Sequence, residues 1–166
     1  MTARNVWFIS DTHFGHNNII TYCRPQFSSV GEMEEVIIEN WNSAVKPQDL
    51  VYHLGDFAWK TEDAKRVRPK LNGAIRLIVG NHDDIPSLAA AGIFQRIALW
   101  RQFRDEGFTA SHIPMRFDQL RHGTKNLHGH VHGNLEGLEG FHRDMSVESI
   151  GFMPVHFDDV ALWAKS

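Results

Sequence analysis

Continuous apolar runs and stretches of helical periodicity take turns along the first half of the chain. Residues 5–9 carry Val6, Trp7, Phe8 and Ile9 without a polar break, the pattern of a strand buried on both faces. Residues 32–45 put Met33, Val36, Ile37, Trp41, Ala44 and Val45 on one helical face. Ser29 and Glu32 suit a capping box at its start, Lys46 suits the C-terminal dipole, and Pro47 stops it. A second strand is expected at 49–54. Thr61 then reads as the N-cap of a helix carrying Ala64, Val67 and Leu71, disturbed at Pro69 and ended by Asn72-Gly73. A third apolar strand covers 74–79, and Pro86 opens a small helix with Gly92 just past its end.

Beyond residue 93 the pattern becomes strand-rich. Residues 97–104 and 108–112 flank Asp105-Glu106-Gly107 as a hairpin. Further strands are expected at 125–128, 145–150 and 153–157, with one or two helical turns over 158–165. Glycines at 133, 137 and 140 mark a loop. With no repeat or linker, residues 1–166 read as one domain, a βαβαβ half followed by strands.

Composition narrows the function only a little. A hydrophobic fraction of 42% with 22% charged residues excludes disorder as the main state. The net charge of −3 supplies no basic footprint for nucleic acid; Arg66, Arg68 and Lys70 read as a solvated helix face. Cys23 is alone, so neither an intrachain disulfide nor a thiolate zinc site is available, and a reducing cytoplasm is expected. No apolar stretch approaches the roughly 20 residues of a membrane span. The one excess is histidine, at 11 residues.

Five of those histidines fall in short clusters with carboxylates and an amide: Asp11-x-His13, Gly55-Asp56, Gly80-Asn81-His82-Asp83, Ser111-His112 and Gly129-His130-x-His132. Each alone reads as a turn or a polar strand face. Three of them follow the three apolar strands, however, and in open α/β sheets ligands bind at that edge. Oxygen and imidazole donors without thiolate suit Mn²⁺, Fe²⁺, Zn²⁺ or Ni²⁺. A carboxylate such as Asp56 is able to bridge two cations, and paired cations about 3.5–4 Å apart are a standard device for hydrolysing phosphate esters.

In their order and spacing these blocks resemble the calcineurin-like metallophosphoesterase superfamily, whose motifs run D-x-H, G-D, G-N-H-[DE], H and G-H-x-H. The resemblance spans Asp11 to His132 and is similar to small single-domain bacterial and phage-type members. It implies an α/β fold, a four-layer αββα sandwich of two mixed sheets flanked by helices. It implies a hydrolase with two divalent cations, manganese first and Fe, Zn, Ni or Mg as alternatives. One cation would take Asp11, His13, Asp56 and His132; the other would take Asp56, Asn81, His112 and His130. His82 would bind no metal but would face the substrate with Asn81 and protonate the leaving oxygen as a metal-bridged hydroxide attacks phosphorus. Asp56 and His82 are therefore the expected catalytic pair. The substrate would be a phosphate ester, nucleotides included, with diesters slightly preferred. The sequence departs from protein phosphatases of the superfamily at Phe57-Ala58-Trp59-Lys60, which lacks their second Asp and Arg.

Other residues take expectations of lower rank. Arg24 is expected to clamp a substrate phosphate and His16 to touch substrate. Trp59, Phe14 and Met115 are expected to wall a nucleotide-sized pocket or to fill core. His53 and His128 are expected either to hydrogen-bond metal ligands or to pack. His122, His142 and His156 receive no role. The competing reading is a non-catalytic metal-holding scaffold or partner-binding module; the complete set of blocks, His82 included, weighs against it.

Overall fold

The apolar runs become parallel strands because each has helix on one side and a second sheet on the other. The computed structural model describes residues 5–120 and 124–166. One sheet holds β1 (Val6–Ile9), β2 (Leu50–His53), β3 (Ala74–Ile78), β4 (Arg96–Ala98) and β9 (Val155–His156), in the order β4-β3-β2-β1-β9. The first four are parallel and β9 is antiparallel to β1. The other sheet holds β5 (Trp100–Phe103), β6 (Phe108–Ser111), β7 (Lys125–His128) and β8 (His142–Asp144) in sequence order. There β5 and β6 are antiparallel, while β6, β7 and β8 run parallel.

Parallel neighbours need crossovers, and α2 (Val30–Ala44), α3 (Thr61–Val67) and α4 (Ile85–Ala91) supply them. Their apolar faces place Met33, Ile37, Trp41, Ala64, Val67 and Leu88 against Ile9, Val51, Ile75 and Leu77. The opposite face of the same strands turns Phe8, Tyr52 and Ile78 toward Phe108, Ala110 and Leu127 of the second sheet. Helix α5 (Phe157–Lys165) adds Val160 to this inter-sheet core. The expected architecture of two mixed sheets flanked by helices is thus present. Among the described residues, a 3-10 turn at Phe117–Gln119 and its loop stand beside the second sheet, held where Asn126 accepts from the Met115 N–H at 2.7 Å.

Several local expectations change. Ser29 does cap α2, accepting from the Glu32 N–H at 3.2 Å, but the Glu32 carboxylate turns to Ser28 and leaves the box unclosed. Lys60, not Thr61, occupies the N-cap of α3, and Pro69 sits in a separate 3-10 turn, Arg68–Lys70. The apolar run at 97–104 divides at Leu99, because its first part bonds to β3 and its second to β6. Residues 145–150 form no strand beyond a bridge from Ser146 to Ser10 and then turn. Helix α1 (Asn18–Cys23) was not anticipated, being too short to show a period. The Arg66 and Arg68 side chains do not form a free basic face: Arg66 is paired bidentately with Glu34, and Arg68 donates to the Leu71, Gly73 and Ile93 carbonyls.

Candidate metal centre

Strands β1, β2 and β3 run in register, Ile9 beside His53 and His53 beside Leu77, so the turns that follow them leave the same sheet edge. Asp11, Asp56 and Asn81-His82 are carried by those turns. His112 follows β6, and His130 and His132 follow β7, arriving from the second sheet. The backbone bends sharply here. Asp11, His13, Asp56, His130 and His132 all have positive φ, between 50° and 74°; among the described residues Phe152 is the one further non-glycine case. That conformation costs about 1–3 kcal/mol per residue and persists where surrounding contacts enforce it. Two glycines allow the turns to meet. A Cβ on Gly80 would run into the Asp56 carboxylate, and one on Gly129 into the Ser10 hydroxyl and the Asp11 carboxylate.

Two groups of donor atoms result, joined at one oxygen. Asp11 Oδ1 lies 3.8 Å from His13 Nε2 and 3.7 Å from His132 Nε2. Asp56 Oδ2 lies 3.6 Å from His13 Nε2 and 3.5 Å from His112 Nε2. Asn81 Oδ1 completes the second group, 2.9 Å from both His112 Nε2 and His130 Nδ1. All seven expected ligand residues therefore converge.

The hydrogen bonds around these atoms identify which lone pairs point inward. His112 Nδ1 donates to the Leu54 carbonyl at 2.8 Å, so a neutral His112 ring would turn the lone pair of Nε2 toward Asp56. His132 Nδ1 donates to Glu148 at 3.0 Å and leaves its Nε2 facing Asp11. Electron-rich atoms thus face one another at 3.5–3.8 Å, too far for hydrogen bonds. Asp11 Oδ1 and both ring nitrogens of His13 are buried without a partner. Such an arrangement is costly unless a cation shares the lone pairs; donor–cation arms of about 2.1 Å fit these spacings. The groups Asp11-His13-His132 and Asp11-Asp56-His112 can each hold a metal ion.

Around the donors lies a frame that sequence reasoning largely missed. Glu148 links His132 to Arg24, whose Nε donates to it at 2.8 Å. The Arg24 guanidinium is fully buried and also donates to the Asp11 and Thr12 carbonyls. It has no face for substrate, so the expected phosphate clamp is corrected to a buttress beneath the first motif. The Ser146 hydroxyl lies between two carboxylates, 2.7 Å from Asp144 Oδ1 and 3.2 Å from Asp11 Oδ2, and shares its one proton with them. Asp83 does not orient the His82 ring; its carboxylate collects the N–H groups of Asp56, Phe57 and Gly80. The His82 backbone N–H instead donates to Asp56 Oδ1 at 2.9 Å. His128 Nδ1 donates to the Gly129 carbonyl at 2.9 Å, bracing the turn that carries His130 and His132.

On the open side, Asn81 and His82 are exposed, and the His82 ring stands 5.4 Å from that of His13 and 5.3 Å from Trp59. His16 is buried and stacks flat on Trp59, with centroids 4.1 Å apart; loss of water around the ring pushes its pKa down to about 4. Only Trp59 of the three expected pocket walls is beside the site. Phe14 is core against Phe57, and Met115 borders a separate hollow with Phe117 and Phe141. His142 accompanies Met115 there, His156 caps α5, and His122 lies outside the described residues.

A family model described as calcineurin-like phosphoesterase matches residues 4–163. The chain belongs to that family. An uncharacterized protein of Methanocaldococcus jannaschii is 36% identical over 167 residues, spanning 95% of this chain and 90% of its own length. The gene 66 protein of Mycobacterium phage L5 is 34% identical over 86 residues, which is 48% of this chain and 40% of the phage protein. The crystal structure of a protein of unknown function from Aquifex aeolicus superposes with a TM-score of 0.77 at 29% identity, covering 95% of this chain and 98% of that one. Family membership makes hydrolysis of phosphate esters with divalent metal the expected chemistry of this calcineurin-like domain. No helix among the described residues is long and apolar enough to cross a membrane.

Proposed function

We propose that residues 1–166 form one dinuclear metal-dependent phosphoesterase domain, acting in the cytoplasm. Asp11, His13, Asp56 and His132 would hold one divalent cation; Asp56, Asn81, His112 and His130 would hold the other. The observation that carries this reading is Asp56 Oδ2, set 3.6 Å from His13 Nε2 and 3.5 Å from His112 Nε2, one oxygen shared by two donor groups. Bound there, manganese or another divalent ion supplies Lewis-acid activation of water and neutralises charge on the phosphoryl oxygens.

The chain's own side chains do the rest. Asp83 and the His82 N–H fix the Asp56 turn, so the shared oxygen has one position. Asn81 would offer its amide oxygen, beside His112 and His130, to the second cation, and its exposed amide NH₂ would be free to meet substrate. Among the described residues the His82 ring bonds to no carboxylate, and it projects beside the centre, where an imidazole can give its proton to the departing oxygen. Two hollows flank Trp59, one of about 500 Å³ bordered by His82 and one of about 270 Å³ bordered by His16. Space for a substituent on either side favours a diester over a monoester, and a nucleotide suits the indole face.

Bis(p-nitrophenyl) phosphate and p-nitrophenyl phosphate, assayed with Mn²⁺, Ni²⁺, Zn²⁺ and Mg²⁺, test the proposal. Turnover abolished by Asp56→Ala is expected, with the diester the better substrate. Protein that retains two equivalents of metal yet turns over neither ester would instead be the metal-holding scaffold.

A further inference from the structure

At the edge where the chain passes from β4 to β5, a groove of about 500 Å³ opens between the two sheets. Arg76, Arg96, Arg101 and Arg104 line it, and no carboxylate does. Arg76 and Arg96 are register partners on adjacent parallel strands, so both side chains leave the sheet on the same face. Like charges placed opposite one another destabilise a sheet. Among the described residues, the arginines that form ion pairs are Arg24, Arg66 and Arg116, none of them in this groove. Two of the groove arginines are held by neutral groups instead. Arg76 donates to Gln95 Oε1 at 2.8 Å and to the Tyr52 hydroxyl at 2.9 Å, and Arg104 to Gln102 at 3.3 Å. These bonds fix guanidinium planes without cancelling their charge. The nearest acids in sequence, Asp105 and Glu106, sit in the hairpin turn and pair with none of them.

A net charge of −3 makes this a local reversal of sign. The groove also carries an apolar platform: Trp100 is 56% exposed on its wall. Fixed guanidinium groups beside an exposed indole are the pairing that tracks a phosphate backbone and stacks a base. An acidic peptide would use the charges and leave the indole idle, so the aromatic decides between the two. We infer that this groove binds single-stranded nucleic acid, with phosphates on the four arginines and a base on Trp100. The position suits delivery to the metal centre, because Trp100 is the register partner of Ser111, the residue before His112. Binding itself needs no metal.

The test is fluorescence anisotropy of a labelled 12-nucleotide oligothymidylate with EDTA-treated protein. Each phosphate neutralised on a single strand contributes a slope of about −0.7 in log affinity against log salt, so four arginines give about −2.8, or about 50-fold between 50 and 200 mM salt. R96Q/R101Q should halve that slope, and W100A should weaken binding by about 5-fold to 100-fold. All of these residues except the partly buried Arg76 are exposed, and unchanged thermal melts would verify that the variants fold. Wild-type affinity and slope in R96Q/R101Q would overturn the proposal. So would equal competition by polyglutamate together with full binding by W100A, the behaviour of a site for acidic proteins. Hydrolysis of aryl phosphodiester by R96Q/R101Q should stay at the wild-type level, so failure of the groove is distinguishable from failure of the phosphoesterase reading.

Discussion

Acid should destabilise the metal-free protein through His53, and the size of the effect follows from how that ring is held. His53 closes β2 and is completely buried. The Thr12 hydroxyl donates to the Phe57 carbonyl at 2.8 Å, so at its 3.0 Å contact with His53 Nε2 it is the acceptor. Nε2 therefore carries the proton, while Nδ1 accepts from the Gly55 N–H at 3.3 Å. A second proton would turn Nδ1 against that N–H in a fully buried site. Loss of hydration is the largest cause that pushes the His53 pKa down from 6.5 to about 3, outweighing Asp11 and Asp56, which favour the charged ring. Below pH 6.5 the unfolded chain takes up a proton that the folded chain refuses. The stability from the neutral ring is therefore complete above pH 6.5 and is lost as pH falls toward about 3. At about 1.4 kcal/mol per pH unit the full loss is about 5 kcal/mol, comparable with the whole stability of many domains. Urea unfolding of EDTA-treated wild type and His53→Gln at pH 7.5 and 4.5 isolates the group, because the other histidines titrate in both proteins. The wild-type advantage should shrink by about 3 kcal/mol over that interval. A constant difference at the two pH values would refute the assignment of the neutral, doubly bonded ring.

Other consequences reach the site directly. His82→Ala should keep its metal by elemental analysis and lose about 10²–10⁴-fold in turnover of an alkyl ester, while sparing a p-nitrophenyl ester that needs no acid; equal turnover on both would remove the acid role. Glu148→Gln should weaken metal binding by about 10–100-fold in a calorimetric titration, because His132 loses its anionic partner. The same change strands the buried Arg24 cation, so the melting temperature should also fall.

Much of the site was legible in the sequence because its residues are tied to strand ends, and strand ends are visible in apolar runs. Asp11, Asp56 and Asn81 follow β1, β2 and β3 at nearly equal offsets, and parallel register does the remaining work. Glu148 was hidden for the opposite reason. Asp144, Ser146 and Glu148 alternate with the buried Met145 and Val147, a period of two that reads as a strand, yet β8 ends at Asp144 and the chain beyond it keeps only the bridge to Ser10 and one bond from Met145 to His128 before it turns. The alternation was the available signal; on its polar face Ser146 meets Asp11 and Glu148 meets His132 rather than solvent. Arg24 was misplaced because nothing in a local window reports that helix α1 swings a guanidinium under the Asp11 turn.

The sequence alone determined the chemistry of the donors, their order and the family, since these depend on residue type and on spacing along strands. Tertiary structure decided what each neighbour does to the others. It converted Asp56 from one acid among many into an oxygen set 3.6 Å from His13 Nε2 and 3.5 Å from His112 Nε2. It turned Arg24 inward, and it gathered Arg76, Arg96, Arg101 and Arg104 into one groove on an acidic protein. Net charge sums over the whole chain, whereas an electrostatic field is set by which charges the fold brings within a few ångströms of one another.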